Sequence, residues 1–285
     1  MTRNILYSLM LFILTAACTE KIDVKLDSTY TRLVVDGTID SDTGVYRVAL
    51  TTSADYFSNE PVPRVVNATV TMSDGVNTFL LNESLKGQSG IYETNPDFAG
   101  KKGATYTLHV ELENEIAGHK TVDATCYLPP VAHLDSIGTD FHPEWGPKGI
   151  WTIKLYAKEP SDTVNFYMFN YYRNGVLITD TLSKKVISDD KFYNGSYMDG
   201  VDVIYINNDH NWETLVAGDT IMLQMSGITR EYFDYITQVQ QSGFNIPFFS
   251  GPPANVQGNI TNGGIGFFAA YSSSFAKTVV KAPKK

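Results

Sequence analysis

Between Thr105 and Glu113 the sequence alternates without a break. Tyr106, Leu108, Val110 and Leu112 point one way, while Thr107, His109, Glu111 and Glu113 point the other. Side chains repeat every second residue only in a strand, so this segment has one buried and one wet face. Such a strand must belong to a layered β structure, which restricts the rest of the chain. Six similar runs surround it, at Arg32–Ile39, Val45–Thr52, Ala68–Met72, Asn77–Asn82, Ile91–Thr94 and Lys120–Leu128. Turn-forming clusters such as Asp42-Thr-Gly44, Ser73-Asp-Gly75 and Lys86-Gly-Gln-Ser-Gly90 separate them. Seven strands in about 100 residues are expected to form an immunoglobulin-like or transthyretin-like sandwich.

Leu128-Pro129-Pro130 stiffens the chain after the seventh run, and a domain boundary is expected there. The second half is also β-rich. Its runs are Ile150–Glu159, Asn165–Tyr172, Val176–Leu182, Val201–Asn207, Asp219–Ser226 and Gly264–Tyr271. Asn174-Gly175 between two of them is a hairpin signal, because both turn residues need positive φ. One helix is expected over 229–241, with Thr229 as cap, Glu231 in the first turn and Tyr232, Ile236 and Val239 on one face. Phe166-Tyr-Met-Phe-Asn-Tyr-Tyr172 is aromatic on both faces, so that strand is expected to be covered twice. The fold class is therefore mainly β: two sandwich-like domains, 32–129 and 130–285, the second carrying the helix.

Before the first run, Arg3 and the ten apolar or small residues Ile5–Leu14 lead through Thr15-Ala-Ala17 to Cys18. The run is shorter than the ~20 residues needed to span a bilayer and has the layout of an export signal. A cysteine after small residues makes it resemble a bacterial lipoprotein signal. Residues 1–17 would be removed, Cys18 lipidated, and residues 18–31 left as a tether. The usual leucine three places before the cysteine is replaced here by Thr15, with Leu14 one place earlier.

The formal charge of −9 excludes nucleic acid as a natural partner, since its binding requires cationic neutralisation of phosphates. With Cys18 committed to lipid, only Cys126 remains. It lies in phase with Val122, Ala124 and Leu128 and reads as a small buried residue. The protein therefore has no disulfide framework to rely on.

Several stretches resemble one family. They are Leu33-Val-Val-Asp-Gly-Thr-Ile39, Tyr46-Arg-Val-Ala-Leu50, Val66-Asn-Ala-Thr-Val70 and Tyr106-Thr-Leu-His-Val110. Further on come Glu231-Tyr-Phe-Asp-Tyr-Ile236, Pro252-Pro-Ala-Asn-Val256 and Gly258-Asn-Ile-Thr-Asn-Gly-Gly-Ile-Gly-Phe-Phe268. Together with the lipoprotein cysteine they resemble the Bacteroidota lipoproteins grouped as domain of unknown function 4249. The resemblance implies an outer-membrane or cell-surface lipoprotein, often encoded beside a TonB-dependent transporter, and it carries no catalytic or ligand residues with it. Glu20 and Asp23, interrupted by Lys21, favour a body facing the cell exterior.

The chemistry expected of the chain is recognition, with no catalytic residue, metal or cofactor assigned. His210, with Asp209 and Glu213, is a loop histidine beside carboxylates; the other four histidines lack metal-ligand spacing. Asp189, Asp190, Asn194, Asp199 and Asp202 are rich in oxygen but do not follow a calcium-loop spacing, so a solvated loop is expected. Gly264-Ile-Gly266-Phe-Phe-Ala269 superficially matches a dinucleotide loop but lacks the βαβ setting; its glycines are expected to serve close packing against the helix. The tail Lys277–Lys285 is expected to be solvated. Aromatic residues in loops, Trp145, Trp212, Phe244, Phe248 and Phe249, suit a contact surface, and the last four form the candidate partner-contact loops. The expected function is a non-enzymatic accessory or ligand-binding lipoprotein working with a TonB-dependent transporter in nutrient uptake. The alternative is an independent adhesin or glycan-binding module.

Overall fold

A computed structural model describes residues 31–54, 60–161, 163–207, 214–242 and 256–283. Thr31–Lys285 group as one compact unit. The protein is mainly β, with two sheets and, among the described residues, one α-helix. Seven strands precede Pro129: β1 (Leu33–Asp40), β2 (Arg47–Thr52), β3 (Thr69–Ser73), β4 (Thr78–Glu83), β5 (Ile91–Glu93), β6 (Thr105–Ile116) and β7 (His119–Tyr127). Each coincides with an expected run to within a few residues. In β6 the alternation is realised as read: Tyr106, Leu108, Val110 and Leu112 are buried.

After Pro130 come β8 (Leu134–His142), β9 (Ile150–Lys158), β10 (Phe166–Arg173), β11 (Val176–Leu177), β12 (Val186–Asp189), β13 (Tyr197–Asn207) and β14 (Thr220–Ile228). Helix α1 (Arg230–Ser242) and β15 (Ile265–Val279) complete the order. Asn174 and Gly175 take φ of 50° and 84°, as a tight hairpin requires. The returning strand β11 stops at Leu177, and a short 3-10 turn occupies Leu182–Lys184 where a continuing strand was expected. The Tyr232 N–H donates to Thr229 Oγ1 at 3.3 Å, so Thr229 caps α1.

The larger, 12-stranded sheet runs β11-β10-β14-β15-β1-β2-β5-β4-β3-β6-β7, with β12 also on β10; β13-β9-β8 form the second sheet. At its far end the long path returns on itself. The Ala270 N–H of β15 donates to Cys126 Sγ of β7 at 3.2 Å, and Asn259 Nδ2 donates to the carbonyls of Thr125 and Phe268. Strands β1 to β7 thereby enclose one core, to which β15 adds Phe268 and Ala270. Cys126 is one of its buried side chains, and burial pushes its thiol up to about 11, which keeps it protonated and inert. The three-stranded sheet supplies Trp151, Ile153 and Leu155 to a second core, opposite Tyr167, Phe169, Leu223 and Met225 of β10 and β14. Helix α1 covers the other face of the same strands, with Tyr232 and Ile236 over Met168, Ile228 and Phe267. Strand β10 is thus covered on both faces.

The strand pairing joins sequence-distant segments. β15 pairs in parallel with β1 from Val34↔Ile265 to Asp40↔Tyr271 and antiparallel with β14. This extends strand structure through Lys277 to Val279, so that part of the tail belongs to the sheet. Gly266 takes φ +101°, and a Cβ there would lie 2.0 Å from the Val35 carbonyl oxygen. The glycine therefore permits close approach to β1, whereas packing against the helix falls to Phe267 and Ala269.

Candidate functional site

At one end of the second sandwich, between β9 and β13 on one side and β10 and β12 on the other, lies a half-enclosed cavity of about 250 Å³. Its walls are apolar and aromatic, including Leu155, Met198, Phe169 and Tyr193. Its polar side is acidic. Glu159, the residue after β9, is only 1% exposed, and Asp190, the residue after β12, is 2% exposed. Asp189 and Asp202 also line it, and none of its lining residues is Lys, Arg or His.

Local folding holds these carboxylates in place. The Glu159 N–H donates to the Ser196 carbonyl at 2.9 Å, anchoring the end of β9. Tyr167 projects from β10 with its hydroxyl 2.8 and 2.9 Å from the two Glu159 oxygens, and Asn165 Nδ2 donates to Oε1 at 3.0 Å. Asp190 and Asn165 are bonded reciprocally: the Asn165 N–H donates to Asp190 Oδ2 at 2.9 Å, and the Asp190 N–H to the Asn165 carbonyl at 3.1 Å. The N–H groups of Tyr193 and Asn194 close a turn on the Asp190 carbonyl. Burial raises the Glu159 carboxyl above its ordinary value, the hydrogen bonds from Tyr167 and Asn165 oppose this, and the Asp190 charge adds to the rise. Burial and the same carboxylate drive the Tyr167 phenol far upward, so it remains a donor.

A raised carboxylate pKa favours the folded state when the group is protonated. The contribution is fully present below the unfolded value of about 4.3 and is lost as pH rises through the folded value. Asp36 and Asp40 are raised by burial too and act in the same direction. The thermal midpoint is therefore expected to climb as pH is lowered from neutral towards about 5. Glu159→Gln is expected to flatten part of that climb without lowering the midpoint at neutral pH. Parallel unfolding curves for the two proteins across this range check it; identical pH profiles would refute the assignment to Glu159.

A second polar group sits on the α1 side of the large sheet. Ser273 Oγ donates to Asp40, Gln224 Nε2 donates to Ser273 Oγ at 2.8 Å, and Asn170 Nδ2 donates to Gln224 Oε1 at 3.3 Å. Lys185 Nζ donates to Asn170 Oδ1 at 2.7 Å. These groups satisfy one another and read as a polar seam that fixes strand register.

The residues expected from sequence fall differently. Cys18, Trp212, Phe244, Phe248, Phe249 and His210 lie outside the described residues. Trp145 stacks on His142 at 3.9 Å between ring centroids and lies 6.3 Å from the Tyr205 ring. His109 bonds Asp123 at 2.7 Å on the outer face of β6. The oxygen-rich stretch 189–202 is not a solvated loop. Asp189 ends β12, Asp202 belongs to β13, and Asp190 is buried, because two strands and a tight turn pass through the stretch. Among the described residues no three His, Cys, Asp or Glu side chains come close enough to hold a metal ion. Sequence reasoning missed Glu159 and Tyr167 as site residues; their eight-residue separation carries no motif, and only the β9–β10 fold brings them together.

Residues 19–275 match the model of the family described as a domain of unknown function, DUF4249. The chain belongs to that family. The DUF4249 match begins at the residue after Cys18, covers the described strands β1 to β14 and ends within β15. No curated protein matches the sequence. No described helix is long and apolar enough to cross a membrane.

Proposed function

We propose that this DUF4249 protein is a lipid-anchored component of the bacterial outer membrane, facing the cell exterior, that binds a ligand as an accessory to a TonB-dependent transporter. The observation that carries this reading is the junction at Cys18. An export-type apolar run ends in small residues and a cysteine, and the family match starts at the next residue. A multiply acylated cysteine exceeds the two-signal requirement for stable anchoring. The twelve residues Thr19–Tyr30 could reach about 40 Å if fully extended. The cavity between β9, β10, β12 and β13 gives the tethered body a preformed concave place for a ligand.

The first test is the intact mass of the protein isolated from membranes. Loss of residues 1–17 together with an added diacylglycerol and amide-linked acyl chain is expected, and Cys18→Ala should release the protein from the membrane fraction. An unmodified Cys18 in mature protein would overturn the anchor. Co-purification with an outer-membrane transporter tests the partner. The alternative, an independent glycan-binding adhesin, draws support from the ring stack of His142, Trp145 and Tyr205, of which Tyr205 is 60% exposed. Saccharide retention on an array, lost in Trp145→Ala, would favour it.

A further inference from the structure

The charge balance of the β9–β13 cavity is unusual. Four carboxylates line it, no cationic side chain does, and none of the four forms an ion pair among the described residues. Two of them, Glu159 and Asp190, are almost wholly buried. Asp190 uses only one oxygen: Oδ2 accepts the Asn165 N–H, while Oδ1 accepts no hydrogen bond among the described residues. Lys154 of β9 sits opposite Asp202, and Asp189 and Asp190 also border a neighbouring pocket with Lys191 and Arg230. None of these cations lines the cavity, and a nearly buried carboxylate that forms no ion pair gains from a cation brought to it. The rings of Tyr167, Phe169 and Tyr193 line the same space, and aromatic faces attract a desolvated ammonium or guanidinium group.

We propose that this cavity binds an organic cation, a primary ammonium or guanidinium group on a short apolar chain. The carboxylates of Asp190 and Glu159 receive the charge, and Leu155 and Met198 receive the chain. The volume is below the ~300–1,000 Å³ of pockets for drug-sized ligands, which suits a small amine or a single basic side chain of a larger ligand. Dispersal of the carboxylates favours the organic cation over a metal ion, since no three of them converge. Ser188, exposed on β12 and lining the cavity, marks its mouth. The inference rests on the ligand-binding reading and names the ligand class of that site.

Isothermal titration of the full-length protein in detergent, at neutral pH, tests it with n-butylamine, agmatine, n-butanol and calcium chloride as probes. A saturable response to butylamine or agmatine, absent with the isosteric alcohol, is expected. Asp190→Asn should weaken it at least about tenfold. Ser188→Trp, at an exposed position, should block it while leaving the unfolding midpoint in place, so the proposal stays testable if the aspartate variant folds poorly. Equal responses to amine and alcohol, an amine response that persists in Ser188→Trp, a response to calcium alone, or no response to any probe would each overturn it. Transporter co-purification that survives such a result would leave the accessory reading standing, so the two fail separately.

Discussion

Gly266→Ala is expected to cost on the order of 4 kcal/mol and to remove most folded protein from a mild preparation. Two penalties combine. The residue sits at φ +101°, where an L side chain is strained by ~1–3 kcal/mol, and the new Cβ would meet the Val35 carbonyl oxygen at 2.0 Å. Strand β1 cannot retreat, because it is hydrogen-bonded to β2 on one side and β15 on the other, and Val35 is fully buried. The Gly266 carbonyl is also closely approached from behind: a Cβ on Gly258 would lie 1.7 Å from it. Gly75→Ala is the matched control, with φ +87° and nothing within 4 Å of the added carbon. It should lose only about 1 kcal/mol. Urea unfolding of both variants separates backbone strain from collision, and equal losses would show that the approach to Val35 is not what constrains the position.

Asp219→Ala is expected to cost about 3–5 kcal/mol, as removal of one partner from a buried ion pair does. Asp219 is just outside β14, with its side chain 7% exposed. It accepts Arg173 Nε at 2.7 Å, Asn174 Nδ2 at 2.8 Å and the Val216 N–H at 3.0 Å. One carboxylate thus ties the β10–β11 hairpin to the start of β14. Burial alone would raise its pKa; the bonds from Val216, Asn174 and Arg173, with the Arg173 charge, outweigh that and hold it below the ordinary carboxylate range. For a lowered pKa the stabilisation is present above the unfolded value of about 3.9 and is lost as pH falls through the folded value. Wild type and variant should therefore converge only below about pH 4, opposite in sense to the effect of Glu159. Chemical unfolding at neutral pH and at about pH 3 measures both statements. A difference independent of pH would assign the loss to packing.

Where local pattern and final environment agree, the sequence is informative. β6 reads correctly because its two faces meet a core and solvent, and α1 reads correctly because Thr229 supplies a cap and Tyr232 and Ile236 a stripe. β8 escaped because its pairing with β9 slips between Leu134 and Ser136, which breaks the alternation on which recognition depends. β12 escaped because four residues at a sheet margin show no period. The site was less legible than the fold. Asp189, Asp190 and Asp202 stood out as an oxygen-rich stretch, but what makes them a site is the cavity they line, which has no cation among its lining residues, and the arrival there of Glu159 and Tyr167 from other strands. Those are tertiary facts with no local signature.

The parallel pairing of β1 with β15 also governs the order in which the body can form. β1 reaches the middle of the large sheet only when residues 265–271 lie beside it, a contact spanning most of the chain and therefore slow to close. A chain emerging from its amino terminus must hold Val34 to Asp40 half-paired, with one strand edge open, until β15 has been made. Under the export proposed above, that late closure would leave the polypeptide threadable until its last strand is made.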